Sequence, residues 1–193
     1  MKKLTLALSL LLITYCISAQ RTLIYAGNLI DGVTKKSMKE QTIVVEGKSI
    51  KDIKSGYENA KEGDIVIDLR NHTVMPGWID MHVHVEGETS PSRYIKAFTQ
   101  NPADVALFAT DIARRTLMAG FTTVRDAGGS GVNVSLRNAI AKGYVAGPRI
   151  FTAEKGLGVT GGHADPTNGY RADLMGDPGP KDGVVNGIAD ARK

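Results

Sequence analysis

Two histidines separated by one residue, His82 and His84, are the side chains best suited to bind a metal ion. They lie in the segment MPGWIDMHVHVEG, and the chain of 193 residues contains only four histidines. In a β-strand, residues i and i+2 share a face about 6.5–7 Å apart, so two imidazoles at this spacing can converge on one ion. Imidazoles bind zinc, iron, nickel or cobalt, and zinc is the default. The segment therefore predicts metal ligation; the alternative is two polar residues that are neighbours by chance.

The residues beside the histidines follow the alternation of a strand. One face carries Asp80 with both histidines, and the other carries Ile79, Met81 and Val83, which suit packing under helices. Ligand imidazoles are commonly held in orientation by a carboxylate, so we expect Asp80 to orient one of them. The alternative role for Asp80 is a simple hydrogen bond to the backbone.

Three further sites carry polar side chains of interest. His163, in the segment TGGHAD, is predicted to contact substrate or relay a proton, or else to be a surface loop residue. Arg125 and Asp126 close a predicted strand, where they either pair with each other or shape the pocket. His72, in LRNHTVMPG, is predicted to be a solvated turn residue.

After Pro76 the sequence alternates between strand and helix patterns. GWIDMHVHV reads as a strand, Asn101-Pro102 opens a helix that Gly120 stops, and FTTV begins the next strand. A second helix ends at Gly143, and RIFTA is a third strand. This order predicts βαβ units with a parallel sheet. The stretch 157–187 lacks periodicity and is predicted to be a long loop, and IADARK begins another helix.

The preceding residues divide into a leader and an all-β module. Residues 1–19 resemble a signal peptide, with Lys2 and Lys3 before an apolar core; an uncleaved anchor is the alternative. We expect cleavage near Ala19, export to the periplasm or extracellular space, and no stable membrane span afterwards. Residues 20–75 read as short strands, including a hairpin around Glu46-Gly47.

The cysteine content and the charge of the chain argue against thiol chemistry and against nucleic acid as a partner. The only cysteine, Cys16, lies in the predicted signal peptide, so the mature protein would have neither a disulfide nor a thiol nucleophile. The net formal charge of +4 includes Lys2 and Lys3, and no basic run is interleaved with aromatic residues. We therefore do not expect nucleic acid as a partner.

The motifs VMPGWIDMHVHVEG, AGFTTVRDAGG, GPRIFTA and TGGHAD occur in the order found in one enzyme group. Together they resemble the metal-dependent amidohydrolase superfamily, in its branch of imidazolonepropionase-like enzymes and Xaa-Pro dipeptidases. The resemblance implies a (β/α)₈ TIM-type barrel joined to a small β-sandwich, with one or two divalent ions at its mouth. It implies that His82 and His84 hold the more buried ion. The implied reaction is hydrolysis of an amide or cyclic amide C–N bond in a dipeptide or imidazolone-like small molecule, and a homo-oligomer is compatible with it.

The resemblance also implies residues that this sequence does not supply. The family completes its site with a carbamylated lysine, two more histidines and a catalytic aspartate, which we expect beyond Lys193. Residues 76–193 have room for three or four βα units, whereas a full barrel takes ~200 residues or more. The sequence thus predicts an incomplete barrel and a truncated chain. The alternatives are a non-catalytic amidohydrolase-like binding or assembly module and a periplasmic ligand-binding domain with accidental histidines.

Overall fold

Four strands between residues 20 and 76 form one sheet in the order β3-β2-β1-β4. They are β1 (Arg21–Leu29), β2 (Met38–Glu46), β3 (Ser49–Ser55) and β4 (Ile65–Val74). The β1–β2 and β2–β3 pairs are antiparallel, while β1 and β4 run parallel. The predicted hairpin between β2 and β3 is confirmed. The second sheet of the expected sandwich stays a prediction, since residues 20–76 form this single sheet.

Strand β4 is longer than the sequence indicated, and this corrects the interpretation of His72. The apolar run ends at Leu69, but pairing with β1 continues to Val74 after a register shift. Gly27 lies at that shift, where a Cβ would come within 1.9 Å of the Arg70 carbonyl oxygen. Glycine therefore lets β4 pass close to β1. His72 is an exposed strand residue, not a turn residue.

The computed structural model describes residues 20–193, so the predicted signal peptide lies outside the described residues. The chain divides into two compact units between Pro76 and Gly77. No helix in the described part is long and apolar enough to cross a membrane. The mixed α/β class predicted from the sequence is confirmed.

The second unit is built on a parallel sheet of three strands in the order β5-β6-β7. These strands are β5 (Trp78–Val83), β6 (Phe121–Asp126) and β7 (Arg149–Thr152). The helices are α1 (Arg93–Thr99), α2 (Pro102–Met118), α3 (Val132–Ala141), α4 (Ala172–Met175) and α5 (Ile188–Ala191). The predicted alternation of strands and helices is confirmed. Within residues 77–193 the sheet does not close into a barrel.

The core of this unit lies between the sheet and helices α2 and α3. Its buried side chains come from the sheet and the residue that follows β5 closely, from α2 and from α3. They are Val85, Ala109, Ala113, Val124, Leu136 and Ile150. Helix α2 begins as predicted, because the Asp104 carboxylate accepts the Asn101 backbone N–H at 2.8 Å. Helices α2 and α3 therefore pack against the sheet through this core.

The apolar face of β5 is more exposed than the alternation predicted. Ile79 is 61% and Met81 is 58% exposed, and only Val83 of that face packs against the core. The expectation that all three pack under helices is therefore wrong for this structure. The reason is that β5 is an outer strand, whereas α2 contacts β6 and α3 contacts β7. The register between β5 and β6 also shifts after Asp80, which breaks strict alternation.

The predicted long loop has little regular structure. Between Leu157 and Gly187 it contains α4, a 3₁₀ turn at Pro180–Asp182 and one bridge that joins Gly158 to Val184. Val184 is buried, so the loop is anchored rather than free. Helix α1, which follows β5, had no clear sequence signal.

Candidate metal centre

The two histidines singled out by the sequence lie side by side where β5 ends. The centroids of the His82 and His84 rings are 5.4 Å apart, and the ring planes meet at 67°. Both side chains are exposed. The end of the strand thus presents two imidazoles close enough to share one ligand.

The orientation of His84 is fixed by a backbone carbonyl. Its Nδ1 lies 2.8 Å from the Gly128 carbonyl oxygen, in the loop after β6. Because a carbonyl oxygen only accepts hydrogen bonds, Nδ1 must carry the proton in this contact. In the neutral ring Nε2 then keeps its lone pair. A metal ion that binds at Nε2 requires this tautomer, with the proton on Nδ1.

Gly128 is held in a conformation that only glycine adopts readily. Its φ is +152°, and a Cβ would lie 2.3 Å from the backbone nitrogen of Gly156. The Gly128 N–H donates to Oδ1 of Asp126 at 3.0 Å. The next N–H, that of Gly129, donates to the Glu154 carbonyl at 2.8 Å. The carbonyl that receives His84 is thus fixed from both sides.

Asp126 is a buried carboxylate at the end of β6. Its side chain is fully inaccessible, and Oδ2 has no hydrogen-bond partner among residues 20–193. Burial raises the pKa of this carboxyl, since removal from water outweighs the opposing contributions of the Gly128 N–H, the Asn133 side chain and the positive form of His84. The sequence predicts Asp126 at this strand end but gives no sign of its connection to His84 through Gly128.

A second carboxylate ties the chain after His84 to helix α3. Glu86 accepts the backbone N–H of Ser130 at 2.7 Å and that of Asn133 at 2.6 Å, at the start of the helix. The fully buried Asn133 donates from Nδ2 to the Glu154 carbonyl at 2.9 Å. The loops after β5, β6 and β7 are therefore joined around one helix N-terminus. The sequence offered no signal for these contacts beyond the glycines of RDAGG.

The structure gives Asp80 and Arg125 backbone contacts. Oδ1 of Asp80 accepts the His82 N–H at 3.0 Å, which is the backbone alternative considered for Asp80. Arg125 donates from Nε to the Met81 carbonyl at 2.5 Å. Arg125 is exposed while Asp126 is buried, so these two lie on opposite faces of β6 and do not form the pair considered above. Both Asp80 and Arg125 fix the backbone next to His82.

His163 lies in an exposed turn of the long loop. The turn is organised by the buried Asp165, whose carboxylate accepts the N–H groups of Gly161 at 2.7 Å and Thr167 at 2.8 Å. The Thr167 hydroxyl also donates to Asp165, and these hydrogen bonds lower the pKa of its carboxyl. The role predicted for His163 toward substrate stays a prediction.

The donor set fits part of a zinc site. Two neighbouring imidazoles are ordinary zinc ligands, and the hydrogen bond of His84 to Gly128 favours the tautomer that zinc requires. Across residues 20–193, no group of three or more His, Cys, Asp or Glu side chains is arranged to hold an ion. Hence His82 and His84 form a two-ligand arrangement, to which other donors would have to be added.

Residues 73–190 match the Amidohydrolase family, and the chain belongs to that family. Among curated relatives, ochratoxinase from Aspergillus niger is 29% identical over 150 residues, which are 76% of this chain and 31% of that protein. This chain therefore spans about a third of the length of the curated relatives it matches.

Solved structures give the same assignment. A Xaa-Pro dipeptidase with methionine bound in its active site is 46% identical, with a TM-score of 0.79 over 88% of this chain and 42% of that one. A prolidase complexed with N-methylphosphonate-L-proline is 36% identical, with a TM-score of 0.64 over 74% of this chain and 34% of that one. The resemblance to the amidohydrolase superfamily and its dipeptidase branch is thereby confirmed.

Proposed function

We propose that His82 and His84 are metal ligands of a hydrolase that cleaves amide or cyclic amide C–N bonds in dipeptides or similar small molecules. Membership of the amidohydrolase family supports the reaction class. Likeness to a Xaa-Pro dipeptidase and a prolidase supports dipeptides as substrates. One observation carries the proposal for the site: the Nδ1–H of His84 is committed to Gly128, which leaves Nε2 for an ion.

Each residue of the site has a part in this proposal. His82 and His84 would hold one divalent ion, with zinc as the default. The chemistry that such an ion would supply is activation of a water molecule and polarisation of the scissile carbonyl. The chain's own contribution is positioning: the Gly128 carbonyl keeps the proton of His84 on Nδ1, and Asp80 holds the backbone N–H of His82. His163 is the proposed contact for substrate.

The proposal extends to the architecture. We assign β5, β6 and β7 to the first strands of a (β/α)₈ barrel, with residues 20–75 contributing to a β-sandwich. In such barrels the chemistry lies at the carboxyl ends of the strands. His82, His84 and the loops joined around α3 all lie at those ends. We also propose that residues 1–19 direct export to the periplasm or extracellular space.

The proposed function is tested by an assay of the full-length product of the native gene. We expect the zinc-loaded protein to hydrolyse Xaa-Pro dipeptides, and His82→Ala and His84→Ala each to lower kcat/KM by more than about 100-fold. His72→Ala is the matched control, since His72 is exposed in β4, and it should retain full activity. Equal activity of all three variants would refute the assignment. Zinc binding at His82 and His84 without hydrolysis of any amide would favour the non-catalytic module instead.

A further inference from the structure

The carboxylate of Asp126 is buried, and one of its two oxygens has no hydrogen-bond partner among the described residues. A carboxylate taken from water is costly unless its oxygens are hydrogen-bonded. Here Oδ1 accepts the Gly128 N–H, whereas Oδ2 has no partner in the part of the chain that the structure describes. A buried polar atom left without a partner in a native fold calls for an explanation other than packing.

The contacts of Gly128 show what the hydrogen-bonded oxygen, Oδ1, is connected to. Its N–H donates to Asp126 and its carbonyl accepts the Nδ1–H of His84, so one residue connects the buried carboxylate to the imidazole. Glycine adopts the φ of +152° at Gly128 without strain, so hydrogen bonds to neighbouring groups, and not a side chain, fix the orientation of this residue. The Asp126 carboxylate provides support at the N–H, and the Glu154 carbonyl provides it at the following N–H.

We propose that Asp126 is a positioning residue for the metal centre. Through Gly128 it holds His84 in the Nδ1–H tautomer and in the ring orientation that directs Nε2 to an ion. This inference rests on the proposed function only for the identity of the ligand. The effect of Asp126 on the tautomer of His84 does not need a bound metal, so it can be measured separately in the metal-free protein.

The test compares Asp126→Asn with Asp126→Ala. Asparagine keeps an oxygen acceptor for the Gly128 N–H, whereas alanine removes it. Imidazole ¹⁵N chemical shifts of the metal-free protein, at a pH where His84 is neutral, should show the Nδ1–H tautomer in the wild type and in Asp126→Asn. Asp126→Ala should give a mixture of tautomers. A general loss of stability alone would not change the tautomer of His84 in the folded protein.

Zinc binding is the second readout. We expect the zinc affinity to fall 10–100-fold in Asp126→Ala and to change less than about threefold in Asp126→Asn. Wild-type tautomer and affinity in Asp126→Ala would overturn the proposal. Should that variant fail to fold, an Nε2–H tautomer at His84 in the wild type or in Asp126→Asn would also overturn the proposal.

The two proposals fail in different ways. If the tautomer of His84 depends on Asp126 but zinc does not bind to the wild type, the proposed function fails. The control of the His84 tautomer by Asp126 then still stands. If zinc binds to wild type and Asp126→Ala alike, with unchanged His84 shifts, the positioning role fails and the metal centre stands.

Discussion

Gly128 offers the sharpest test of how the site is built, because a single methyl group added there meets backbone on the opposite loop. In Gly128→Ala the new Cβ would lie 2.3 Å from the nitrogen and 2.7 Å from the Cα of Gly156. An alanine held at this φ of +152° would carry backbone strain of about 1–3 kcal/mol. Overpacking against the fixed backbone costs about 1–3 kcal/mol more.

The expected loss in the free energy of unfolding is therefore about 2–6 kcal/mol, out of about 5–15 kcal/mol for an ordinary domain. Gly143→Ala is the matched control. Gly143 has a φ of +75°, but a Cβ added there would have no atom within 4 Å, so this variant should lose only the left-handed conformational cost of about 1–2 kcal/mol. Urea-induced unfolding of both variants measures the difference.

The same experiment reports on the metal centre. If Gly128→Ala folds, its carbonyl must shift, and the ¹⁵N shifts of His84 should change while those of His72 stay as in the wild type. Losses in Gly128→Ala and Gly143→Ala that agree within about 0.5 kcal/mol would refute the packing argument. So would an unchanged His84 spectrum in a folded Gly128→Ala.

Two further predictions concern carboxylates. Glu86→Gln should lower the free energy of unfolding by about 1–2 kcal/mol in urea, because a charge is lost at the N-terminus of α3. Glu88→Gln is the control. It removes an exposed ion pair with Arg115 and should cost less than about 1 kcal/mol. The Arg21 guanidinium and the Lys61 N–H lower the pKa of Asp64 from 3.8 to about 2. The stabilising effect of this carboxylate is therefore complete above about pH 5 and is lost as the pH falls towards about 2. Thermal melts between pH 5 and 2 should show this slope, and Asp64→Asn should flatten it; an unchanged slope would contradict the assignment.

The sequence predicted what depends on local pattern. Asn101-Pro102 and Gly120 bracket helix α2, and the alternation of apolar runs predicted the parallel strands, because caps, breakers and periodicity act within a few residues. The i, i+2 spacing likewise predicted that His82 and His84 adjoin. Helix α1 lacked such signals, since none of its residues is buried.

Contacts between distant loops could not be predicted in this way. His84 and Gly128 are 44 residues apart, and nothing in either segment specifies which carbonyl receives which imidazole. The exposure of Ile79 depends on which strand lies at the sheet edge, a property of the assembled sheet rather than of β5. The sequence placed Asp126 at a strand end, beside Arg125, and only the structure shows its burial and its hydrogen bond with Gly128.

The most direct test of the metal centre is anomalous diffraction at the zinc edge from crystals of the chain grown with zinc. Our account predicts one ion at about 2.0–2.1 Å from Nε2 of both His82 and His84, with the hydrogen bond from His84 Nδ1 to Gly128 intact. Rings that share no ion, or zinc bound through Nδ1 of His84 with that hydrogen bond broken, would contradict it.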